Sequence, residues 1–81
     1  MRYFFHIRDG ENIPDHEGTE LPGKAAARTE AIRLAGAMLT ERARDIWDGS
    51  EWRLRVMDNS GAVVFMLRYS ADDLEHDPRL I

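Results

Sequence analysis

The chain has 81 residues, 43% of them hydrophobic and 32% charged, which allows one folded domain and no second. Lys and Arg number 11 against 15 for Asp and Glu, and the net charge of −4 argues against a general affinity for phosphate backbones or anionic lipid. There is no cysteine, so disulfides, thiolate catalysis and Cys-ligated zinc or iron–sulfur centres are excluded.

A chain this short buries only roughly 60–65% of the surface it exposes when unfolded. Small domains without disulfides often gain stability by associating, so self-association is an option before any residue is read. The opening MRYFFHIRDG is interrupted by His6, Arg8 and Asp9, so it does not read as a secretory leader. No run approaches a membrane span. A cytoplasmic location is the expectation.

Residues 3–8 are aromatic and β-branched and predict a strand, followed by turn chemistry at Asp9-Gly10-Glu11-Asn12. Pro14 limits the next segment to an irregular stretch or a short edge strand. A helix is predicted from about 23 to 47. It carries Ala25, Ala26 and Ala27 at its start and Asp48-Gly49 as its stop. Ala31, Ile32, Ala35, Met38, Leu39, Ala43 and Ile46 recur at helical spacing, and the small residues favour close approach to a sheet bearing bulky aromatics.

Residues 51–57 and 62–69 predict a hairpin around Asp58-Asn59-Ser60-Gly61, with Gly61 in a left-handed position. Ser70 is a candidate cap for a short turn through 71–74, and 75–81 reads as a loose tail after an ordered core of about 1–74. The expected fold is α+β: an antiparallel sheet of three to four strands with one long helix on one face, in the order β-(β)-α-β-β.

Alternation puts Tyr3, Phe5 and Ile7 on one side of the first strand and Phe4, His6 and Arg8 on the other. The side away from the helix should then carry Phe4, His6, Arg8, Arg53, Arg55, Met57, Val64, Met66 and Arg68. Apolar groups mixed with arginines make this a candidate interface. Two such sheets packing face to face as a homodimer is the first expectation. A regulatory module that binds another protein comes next. Single-stranded nucleic acid is the least favoured ligand, given the net charge.

Active-site constellations are absent. The three histidines, His6, His16 and His76, stand apart, and adjacent Asp15, His16 and Glu17 seldom point at one ion. No phosphate loop, dinucleotide fingerprint, metalloprotease helix or nucleophile elbow is present. No catalytic residue, metal or cofactor is expected.

Tyr3-Phe4-Phe5-His6-Ile7-Arg8-Asp9-Gly10, followed by Asp15-His16-Glu17-Gly18-Thr19-Glu20-Leu21-Pro22, resembles the opening of a family of small proteins known mainly from alphaproteobacteria, a domain of unknown function. The resemblance continues through the alanine-rich helix and the strand Trp52–Asp58. It implies a free-standing cytosolic domain and supplies no reaction. A looser likeness in strand–helix order to small HicB-type antitoxin domains is architectural analogy alone. For the opening block the physical expectation is a structural pin: Arg8 or Arg28 pairing with Asp9, Asp15 or Glu17 to hold the loop before the helix.

Overall fold

The computed structural model describes residues 1–74. The tail expected at 75–81, with His76, lies outside the described residues. In chain order the elements are β1 (Arg2–Arg8), β2 (Asn12–Ile13), β3 (Thr19–Glu20), α1 (Lys24–Glu41), β4 (Trp52–Asp58) and β5 (Val63–Tyr69). All strand pairs are antiparallel, in the order β2-β1-β4-β5, and β3 also pairs with β1. The fold is α+β, as expected, with five strands among the described residues where three to four were expected.

Alternation along β1 sends Tyr3 and Phe5 into the core, and β4 does the same with Trp52, Leu54 and Val56. Ala27, Ala31 and Ala35 form the buried side of α1, and the first two join Tyr3, Phe5, Leu54 and Val56 in one cluster. Methyl-sized side chains let the helix lie close to the sheet, so the aromatics fill the space between them. Ile32 and Leu39, assigned to this side from spacing, are instead exposed on the helix.

The helix ends at Glu41, six residues before the expected 47. Arg42 leaves helical geometry at φ −105° and ψ 27°, while its N–H still donates to the Met38 carbonyl. Its guanidinium lies 5.6 Å from the centre of the Trp52 ring and 3.8 Å from the Asp9 carboxylate. Turns follow, with Ile46 buried beneath them. Distant partners at Asp9 and Trp52 therefore accompany the end of the helix. Asp48-Gly49 marks the end of the turns.

The β4–β5 hairpin closes with Gly61 at φ +88°, and Asp58 Oδ1 accepts from the N–H groups of Ser60 and Ala62. A shift in register at Val56/Met57 pairs Phe65 with Val56 but Val63 with Met57, leaving Val64 as the extra residue of a bulge. This corrects the expected faces. Val64 packs against the core cluster, and Val63, half exposed at 50%, stands opposite Met57. The capped turn expected after Ser70 is absent. Residues 70–72 instead run beside the segment before β4, with an Asp48–Asp72 bridge and a Gly49 N–H bond to the Ala71 carbonyl.

Candidate functional site

On the side of the sheet away from α1, the register builds three rows. Arg8, Arg53 and Arg68 stand opposite one another across β1, β4 and β5; His6, Arg55 and Met66 form the next row; Phe4, Met57 and Val63 form the third. Directly opposed residues have Cβ atoms about 4.5–5.5 Å apart, so like charges in one row oppose folding. Arg53 Nε contacts Glu51 Oε1 at 2.8 Å. Among the described residues, Arg8, Arg55 and Arg68 have no carboxylate partner. Met66 is 45% exposed beside them.

Here the sheet bears a shallow cavity of about 140 Å³, lined by His6, Ile7, Arg8, Asn12, Arg53, Arg55 and Met66. Pockets for drug-sized molecules occupy about 300–1,000 Å³, so this one suits a small polar group. His6 Nδ1 accepts the Asp15 N–H at 3.1 Å. That nitrogen must be unprotonated, so the neutral ring carries its proton on Nε2 and is a donor there. The lining is therefore rich in N–H donors: three guanidiniums, the imidazole and the Asn12 amide.

The structural pin is Asp15, but arginine is not its partner. Asp15 Oδ2 accepts the Phe5 N–H at 3.1 Å, and Oδ1 accepts those of Glu17 and Gly18 at 3.1 and 3.0 Å. The edge of β1 is covered by β2 at Ile7 and Arg8, by β3 at Arg2 and Tyr3, and by this carboxylate in the gap between them. Burial raises the Asp15 pKa, yet the hydrogen bonds from the Gly18, Phe5 and Glu17 N–H groups together outweigh it and hold the carboxyl below its ordinary range.

The remaining expected pin residues are dispersed. Glu17 contributes its carbonyl, which accepts from Arg2. Arg28 is exposed on α1, and Arg8 belongs to the arginine row. Gly18, at φ +71°, lies against Phe4: a Cβ there would sit 2.9 Å from the Phe4 ring, Arg2 Cγ and the Tyr3 carbonyl oxygen. The loop thus covers part of Phe4, which is less available than a bare strand would leave it.

Asp9 belongs to a different group at the far end of β1. Its side chain is 4% exposed, Oδ2 is 3.8 Å from Arg42, and Oδ1 has no hydrogen-bond partner among the described residues. Arg42 lies over Trp52, and Trp52 packs on its cross-strand neighbour Tyr69 with ring centres 5.7 Å apart. Burial, and then the Asp9 charge, raise the Tyr69 phenol above its ordinary pKa. Sequence reasoning missed this group. The hairpin register could have paired Trp52 with Tyr69, but nothing local links Arg42 to Asp9.

Together these features define a small α+β domain with one covered sheet face and one arginine-bearing face. The chain belongs to the family described as a domain of unknown function (DUF6894), whose model matches residues 2–70. No curated protein and no solved structure matches the chain. No helix among the described residues is long and apolar enough to cross a membrane.

Proposed function

We propose that the protein is a non-catalytic recognition domain of the cytoplasm whose open sheet face binds an acidic protein partner. The observation that carries this reading is the in-register row Arg8, Arg53 and Arg68, with Arg55 beside it, on a chain whose net charge is −4. Like charges directly opposite one another cost stability, and an acidic partner turns that cost into attraction. Face-to-face self-association, the first expectation from sequence, would instead bring four arginines from each copy into one interface. Glu51 is the one carboxylate paired with this group among the described residues. The exposed Met66 and Val63 supply apolar contact at one end of the face.

A second reading, self-association through β5, is favoured by one observation: β5 lies at the end of the strand order, with no strand on its outer side among the described residues. Free edges invite pairing. The two readings separate in one experiment, an amide NMR titration of the isotopically labelled protein with a short aspartate-rich peptide at low and high salt. Acidic recognition requires shifts clustered at residues 6–8, 53–55 and 66–68 that weaken with salt and vanish in Arg55→Glu. No shift at low salt, or shifts elsewhere, would sink it. Light scattering on the same sample tests self-association: a salt-resistant dimer abolished by Met66→Pro supports pairing at β5.

A further inference from the structure

We infer that the cavity formed by His6, Arg8, Asn12, Arg53 and Arg55 is a seat for one phosphoryl group, so that the acidic partner is recognised through a phosphorylated side chain. This rests on the acidic-partner reading and specifies its central contact.

Charge is the first consideration. Three guanidiniums line the cavity, and the Glu51 carboxylate neutralises the one on Arg53. Arg8 and Arg55 remain unpaired among the described residues, an excess of two positive charges. A phosphomonoester carries about −1.5 to −2 at neutral pH, which matches that excess. One carboxylate carries half as much and would leave a guanidinium uncompensated.

Geometry points the same way. Arg8 and Arg53 are directly opposed across β1 and β4, and Arg55 stands two residues along β4 on the same face. All three line one small cavity, where the oxygens of a tetrahedral anion can be shared among several guanidiniums. The His6 Nε2–H and the Asn12 amide add neutral donors at the β1–β2 side. His6 is held by its bond from the Asp15 N–H, so the loop that seals the edge of β1 also orients one wall of the seat. A shallow volume of about 140 Å³ is of a size for one phosphoryl group and too small to enclose a whole nucleotide or a larger cofactor.

The test uses an aspartate-rich peptide with one central phosphoserine and the same peptide unphosphorylated. Both are titrated at constant ionic strength into the wild type, Arg55→Gln, Arg8→Gln and, as a control, Arg28→Gln on the helix. Folding of each variant is checked from its amide spectrum. The phosphopeptide should bind about ten- to a hundredfold more tightly than its twin, the range expected for one or two added charge-assisted hydrogen bonds. Arg55→Gln and Arg8→Gln should erase that preference, and Arg28→Gln should keep it.

Equal affinities for the two peptides would overturn the phosphoryl seat while leaving acidic recognition standing. Failure of both peptides to bind at low salt would remove both readings. A preference unaffected by Arg55→Gln and Arg8→Gln would place the determinant elsewhere and overturn the inference. Tighter binding of a single-stranded oligonucleotide, lost in Arg55→Gln, would overturn it in favour of a nucleic-acid backbone.

Discussion

Replacing Asp15 with alanine should cost this domain a large share of its stability, and the cost should depend on pH. The carboxylate accepts three backbone N–H groups, from Phe5, Glu17 and Gly18. The Phe5 donor is partly buried in the gap between two flanking strand segments. Stranding such a donor costs about 1–3 kcal/mol, and losing the other two bonds adds about 1 kcal/mol after water replaces them. A loss of about 2–4 kcal/mol compares with a total of about 4–12 kcal/mol for a chain of this length. Melting temperatures of small domains fall about 4–8 °C per kcal/mol, so a drop of the order of 10–25 °C follows.

The pH dependence has a definite sign. Because folding lowers the Asp15 pKa, its charge-linked stabilisation is complete above the unfolded value of about 3.9 and is lost as pH falls through the lower folded value. Urea unfolding of wild type and Asp15→Ala at a series of pH values measures this directly. The gap should be constant from neutral pH down to about 5 and narrow below about 4. A variant within about 0.5 kcal/mol of wild type at neutral pH, or a gap that fails to narrow in acid, would refute the assignment of Asp15 as the pin.

Three further outcomes can be checked on the purified protein. Gly18→Ala should lose about 2–3 kcal/mol in urea unfolding, because its new Cβ would stand 2.9 Å from the Tyr3 carbonyl oxygen at a φ of +71°. Arg53→Gln removes the middle guanidinium of the arginine row and frees the Glu51 carboxylate, so the acidic peptide should bind it more weakly than wild type in the amide NMR titration. Asp9→Asn should bring the Tyr69 phenol part of the way back towards its ordinary pKa in an alkaline absorbance titration, since burial, the larger cause, remains. An unchanged Tyr69 titration would mean that the Asp9 charge does not reach it.

Most of the fold was legible because each element repeats its own signal. Alternation in 3–8 and 52–57 identified β1 and β4, but both sides of β1 carry aromatics, so its inward side needed the structure. The alanines at 31 and 35 predicted a helix lying close to aromatics, while Ala43, expected beside them, falls beyond the end of α1 and Ala27 takes a place on the buried side. The errors share a cause: they depend on partners remote in sequence or on backbone groups that no side chain reveals. Val63 and Val64 are identical in type, so a bulge that exchanges their faces leaves no pattern. The end of α1 is accompanied by contacts from Arg42 to Asp9 and Trp52, well outside any local window. At the pin, Asp15 was recognised but arginine was expected opposite it, because peptide N–H donors are invisible in a residue string. At the candidate site the individual arginines were read correctly as one face, whereas their alignment into a row needed the strand register.

The two borders of the sheet differ, and the difference limits how copies of this chain can add to one another. Along β1 the border is occupied by β2, the Asp15 carboxylate and β3, while β5 ends the other side. With one border covered and one that, among the described residues, has no neighbouring strand, the sheet offers a single docking valence. If two copies pair border to border through β5, both open sides are consumed and both outward sides are sealed, so growth stops at two. In such a pairing β2, β3 and Asp15 would together act as a chain terminator, and a variant that freed the β1 border would turn a one-valent unit into a two-valent one, able to add copies without limit.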